Sequence, residues 1–101
     1  MAEFDEVEYE RSHPRETVRT KASVMIDGKS HSCMLTNISP AGTRLYTRLS
    51  VNRDQTLNLK VGEFGEYGEY KATVAWCYAD EIGLKFEEDL AVLSEELVKQ
   101  I

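Results

Sequence analysis

The stretch TVRTKASVMI, residues 17–26, alternates strictly: Val18, Thr20, Ala22, Val24 and Ile26 share one face, and Arg19, Lys21 and Ser23 the other. A period of two is the signature of a half-buried β-strand. Asp27-Gly28 follows at once, and that pair suits a primed turn because glycine accepts the positive φ such a turn demands. A chain that opens in this way is committed to an antiparallel sheet. The returning strand is expected over Ser30–Ile38, and the same alternation predicts strands over Thr43–Leu49, Thr56–Val61, Lys71–Tyr78 and Ile82–Phe86. Breaks fall at NISPAG (37–42), at Asn52-Arg53-Asp54 and at Ala79-Asp80-Glu81. GEFGEYGEY (62–70) reads as a loop or twisted hairpin tip, nine residues being too few for a solenoid repeat. After Asp89, a suitable N-cap, Leu90, Leu93, Leu97, Val98 and Ile101 recur at helical spacing. The fold class is therefore mostly β: a small antiparallel six-stranded barrel over about 16–87, then a C-terminal helix over about 89–101.

A chain of 101 residues is sized for one domain and buries roughly two-thirds of its unfolded surface, enough to fold without metal or disulfide. Cys33 and Cys77 stand far apart with no CxxC and no paired histidines, which argues against zinc and for buried thiols in a reducing compartment. No segment combines a basic start with an apolar run, and none approaches the roughly 18 apolar residues of a membrane span. The expectation is a cytoplasmic monomer with no membrane insertion.

Charge is sorted along the chain. Residues 1–10 carry five acids and no base, an acidic lead-in expected to be flexible; residues 11–53 carry eight bases against two acids, and residues 54–101 four against eleven. The blocks are −5, +6 and −7 within a net −6, and all six arginines lie in the middle one. Arginine offers a planar fork for phosphate where lysine offers a mobile point charge, so the sorting points to a local anion site. A solvated basic strand face accounts for the charges alone equally well.

Two motifs sharpen this. Arg11 and Arg15 form RxxxR, and after 21 intervening residues Asn37, Ser39 and Gly42 form NxSxxG. The pair, in this order and spacing, resembles the signature of the PilZ domain, a bacterial receptor for the second messenger cyclic di-GMP. VAWCYADEIGLKF (74–86) also resembles the family's strand, turn and Gly-x-x-Phe strand ending, so the likeness spans roughly residues 10–87. It implies that Arg11, Arg15, Asn37, Ser39 and Gly42 contact cyclic di-GMP. The chemistry is compatible: a guanidinium fork pairs with the N7 and O6 edge of guanine and can stack on a purine face. Asn37 can bond base or backbone, Ser39 can donate to phosphate, and Gly42 can let the backbone turn and approach a bulky ligand. Read without the arginines, the same three residues only shape a turn. Trp76 stands where related domains can offer an aromatic platform for guanine, yet alternation groups it with Val74 and Ala72 as a core residue; both readings stay open. Many family members carry an arginine directly before RxxxR where this chain has Glu10, which favours weaker binding or one bound nucleotide over a stacked pair.

Other functions fit less well. His13 and His31 have no nucleophile partner and no Gly-rich phosphate loop precedes a helix, which opposes an enzyme. The net negative charge opposes nucleic-acid binding. The main rival is a PilZ-like interaction module that binds no nucleotide. With no output domain in these residues, a cyclic di-GMP receptor of this kind is expected to relay its signal to a separate partner protein, and to use no cofactor beyond that ligand.

Overall fold

The computed structural model describes residues 15–99. Strands β1 (Glu16–Ile26) and β2 (Lys29–Ile38) form the opening hairpin. Its turn has Asp27 and Gly28 at φ 52° and 80°, both left-handed as a primed turn requires. They are followed by β3 (Gly42–Tyr46), β4 (Thr56–Val61), β5 (Glu69–Tyr78), β6 (Glu81–Phe86) and one helix, α1 (Ala91–Val98). The strands close into a barrel in the order β1-β2-β3-β6-β5-β4, every pair antiparallel. Closure gives every described strand a neighbour on both sides, which restricts the usual route to edge-to-edge aggregation.

The inward positions are those the alternation selects. Val18, Ala22, Val24, Leu35, Ile38, Leu45, Leu57, Leu59, Val61, Ala72, Val74, Ile82, Leu84 and Phe86 make one continuous core. Leu90, Leu93 and Leu97 extend it onto the helix. The helix begins where β2 passes into β3, because the Leu90 N–H donates to the Pro40 carbonyl at 2.9 Å. Ala41 likewise accepts from the Phe86 N–H at 2.8 Å, so the 39–42 turn is tied to the chain leading into α1.

Strand starts fall within two residues of the sequence expectation, and three larger features differ from it. β3 stops at Tyr46 rather than Leu49: Thr47 stays buried, but its N–H turns to the Asp80 carbonyl at 2.8 Å. The helix starts at Ala91 with Leu90 as its N-cap. Asp89 sits one residue too early for that role, although its Oδ1 accepts the Ala91 N–H at 3.0 Å. The third difference lies in register. Val18-Arg19 of β1 oppose the single residue Thr36, Thr36 is itself extra against β3, and Ala75 is extra against β6. Each is a β-bulge, which re-aims the neighbouring side chains and sharpens the local twist.

Candidate nucleotide site

The bulges fall within a residue of one transverse row of the barrel. Thr17 pairs with Asn37, Asn37 with Arg44, Arg44 with Gly83, and Gly83 with Trp76. Directly opposed residues share a face, and the next residue along most of these strands (Val18, Ile38, Leu45, Leu84) points into the core. The row therefore lies on the outer wall, crossing β1, β2, β3, β6 and β5. Arg15 is exposed, two residues before Thr17 and immediately ahead of β1. Arg11 and the acidic lead-in, residues 1–10, lie outside the described residues.

The NxSxxG residues hold the turn at one side of this row. Ser39 is 1 % exposed. Its Oγ accepts the N–H groups of Ala41 and Gly42, both at 3.2 Å, and donates to the Gly42 carbonyl at 3.4 Å. Ser39 N–H also donates to the Gly42 carbonyl at 2.9 Å. The hydroxyl thus builds the turn, a local side-chain bond that substitutes for a strand ladder. Gly42 is not needed for a left-handed backbone, since it is not among the left-handed residues. A Cβ there would lie 2.3 Å from the Leu84 carbonyl oxygen, so glycine is needed for β3 to reach β6.

Asn37 is different. It is 8 % exposed, and its Oδ1 has no hydrogen-bond partner among the described residues. Its backbone carbonyl is satisfied by the Thr43 Oγ1–H at 2.6 Å. A buried amide oxygen without a partner costs about 1–3 kcal/mol, and this one lies beside Thr17, two residues from Arg15, in the row just described.

Trp76 does not join the core. The extra residue Ala75 breaks the alternation, so Trp76 pairs with outward-facing Gly83 rather than following Val74 inward. The half-buried indole lies over that glycine: a Cβ on Gly83 would come within 2.2 Å of Nε1 and 2.3 Å of Cε2. The platform reading of Trp76 is thus sterically available, and the core reading is set aside. Sequence reasoning missed two members of the row. Arg44 looked like one more solvated strand residue, and Gly83 like part of a strand ending. An isolated glycine inside a strand pattern is the signal for close approach of another group.

The site's remaining chemistry is plain. Among the described residues no group of three or more His, Cys, Asp and Glu could hold a metal, and no helix is long and apolar enough to cross a membrane.

A closed six-stranded barrel with a C-terminal helix, carrying this turn beside the start of β1, is the architecture of a cyclic di-GMP receptor family. The PilZ domain model matches residues 9–101, and the chain belongs to that family. Among solved structures, the chain is similar to the Bacillus subtilis inhibitor of motility (MotI/DgrA), with 19 % identity and a TM-score of 0.67. That match covers 89 % of this chain and 48 % of the other, so the chain spans about half the length of that relative. An uncharacterised Legionella protein is also similar, at 16 % identity and a TM-score of 0.49, covering 85 % of this chain and 87 % of its own. No curated protein matches the sequence.

Proposed function

We propose that this protein is a cyclic di-GMP receptor that holds the nucleotide against the outer wall of the barrel and relays its presence to a separate protein. The observation that carries the reading is the register of β1 on β2. Thr17 opposite Asn37 and Glu16 opposite Ile38 bring Arg15, immediately ahead of β1, beside the NxSxxG turn, although the two are far apart in sequence. Arg11 and Arg15 are the forks that grip the phosphodiester groups. Asn37 brings a buried acceptor that a ligand amino group would satisfy. Trp76 supplies a flat apolar surface for a purine. Ser39 and Gly42 act indirectly, by fixing the turn and letting β3 approach β6.

The relay has a physical route. Pro40 and Ala41, inside the turn, accept from Leu90 and Phe86, so a ligand pressing on the turn changes the footing of α1.

The test is calorimetric titration with cyclic di-GMP, with GMP and GTP as controls, on the parent and on Arg15→Ala. A charge-assisted hydrogen bond contributes roughly 1.5–3 kcal/mol, so losing one arginine fork should weaken binding at least about tenfold. Undiminished affinity in both Arg11→Ala and Arg15→Ala would refute the assignment. No binding by the parent would favour the interaction module instead.

A further inference from the structure

We infer that Arg44, outside both signature motifs, is the residue that reads the base edge of the bound purine and selects guanine over adenine; this rests on the nucleotide reading above. Arg44 occupies the middle of the transverse row, with Asn37 on one side and Gly83 on the other. Beyond Gly83 lies Trp76. Neighbouring strands are about 4.8 Å apart, so Arg44 and Trp76 stand roughly 10 Å apart across a strand that bears no side chain at that point. The indole leans across that strand over Gly83, so a purine stacked on its outer face has its edge directed toward the guanidinium.

Arg44 is also held for the purpose in a way the other described arginines are not. The bulge at Thr36 places that hydroxyl beside it. Its Nε–H donates to Thr36 Oγ1 at 3.3 Å, and Thr36 Oγ1 donates back to the Arg44 carbonyl at 3.3 Å. Among the described residues no hydrogen bond engages the two terminal amino groups of Arg44, which leaves that half of the fork to meet a ligand. The nearest carboxylate, Glu81 Oε2, lies 3.9 Å from Nε with both side chains about two-fifths exposed, and a pair so loose and wet contributes little. Arg19 and Arg53 are exposed, and Arg48, its side chain 83 % exposed, lies 3.9 Å from Asp80.

The chemistry follows from the two edges. Guanine presents O6 and N7, two acceptors that match an arginine fork. Adenine presents N7 beside an N6 amino donor, which leaves one arm of the fork facing another donor. The terminal fork of Arg44 thus stabilises one purine and is mismatched with the other, whereas a phosphate contact would favour neither.

The experiment measures affinity for cyclic di-GMP and cyclic di-AMP, which share the phosphodiester ring and differ at the base edge. Parent, Arg44→Lys, Arg44→Gln and Arg15→Ala are compared, with thermal melts to establish that each is folded. Lysine keeps the charge and loses the fork. The expected result is that Arg44→Lys loses roughly tenfold or more of the preference for cyclic di-GMP, a bidentate base contact being the source of that discrimination. Arg15→Ala should instead weaken both nucleotides together. If Arg44→Lys and Arg44→Gln keep the parent's preference while Arg15→Ala loses binding, this inference is overturned and the receptor reading stands. If only Arg44→Gln weakens, and does so equally for both nucleotides, Arg44 acts as a charge and the base-reading role is overturned. A parent that binds neither nucleotide overturns both readings.

Discussion

Replacing Gly42 by alanine adds one methyl group where the barrel has no room for it. The new Cβ would lie 2.3 Å from the Leu84 carbonyl oxygen, 3.4 Å from its carbon and 3.5 Å from Lys85 Cα. All three are backbone atoms of β6, so no side chain can swing aside; the strands must part by nearly 1 Å or the turn must shift. Parting them strains the Gly42–Lys85 and Thr43–Leu84 pairs and the Phe86 N–H bond to the Ala41 carbonyl. Overpacking of this kind costs about 1–3 kcal/mol, and involvement of the ladder and the Ser39 turn places it in the upper half. In a domain this size 1 kcal/mol moves Tm by about 4–8 °C, so a loss of roughly 10–20 °C is expected. Gly28→Asn is the control: Gly28 is left-handed at φ 80° but has open space around its Cβ position, and asparagine tolerates that conformation. Its Tm should change by only a few degrees. The assay is thermal unfolding by circular dichroism, with cyclic di-GMP affinity measured well below Tm. A Gly42→Ala protein that melts within about 2 °C of the parent, yet loses ligand, would refute the reasoning. It would mean the glycine serves approach of the nucleotide, as the motif alone suggests, and not approach of β6.

Gly83→Ala tests the outer-wall seat of the sole tryptophan: the new Cβ clashes with the indole itself, which can swing away. The melt should fall less than for Gly42→Ala while the fluorescence emission shifts; unchanged emission would contradict the placement. The thiols should differ in reactivity. Burial pushes Cys33 up to about 12 from 9.0, whereas Cys77 is exposed, so iodoacetamide near pH 8 should label Cys77 first, as peptide mapping would report. Because the folded chain keeps a proton on Cys33 that the unfolded chain releases, its contribution to stability is complete below about pH 9 and declines from there toward pH 12. Alkaline urea midpoints of parent and Cys33→Ala should converge as pH rises through that window. Glu10→Gln should tighten cyclic di-GMP binding modestly and in a salt-sensitive way, since exposed charges are screened within about 10 Å at 0.1 M. Glu10→Arg should add a further gain from directed hydrogen bonds, and equal calorimetric affinities for the three proteins would place residue 10 away from the ligand.

Alternation and turn chemistry were enough to read the strands, because each depends only on neighbours in sequence. The half-buried period of 17–26, the left-handed demand of Asp27-Gly28 and the leucine spacing after Asp89 are local facts, and their physical consequences are local too. The motif pair, likewise, can be read directly from the residues. What was not legible follows from bulges. One extra residue at Ala75 carries Trp76 from the inner face to the outer, and nothing in the composition of that strand marks the slip. One extra residue at Thr36 brings a hydroxyl beside Arg44 and makes a solvated-looking arginine a held one.

The sequence by itself determined that this chain would be a small antiparallel β protein ending in a helix, and that two arginines and an NxSxxG turn belonged to one signature. Only the tertiary structure decided which residues stand together. Register between strands set the row from Thr17 through Asn37, Arg44 and Gly83 to Trp76, and strand approach turned Gly42 into a packing requirement and Ser39 into the brace of a turn. The physical reason is that a strand's period can be read from one chain segment, whereas register, bulges and close approach are properties of pairs of segments and exist only once the barrel has closed.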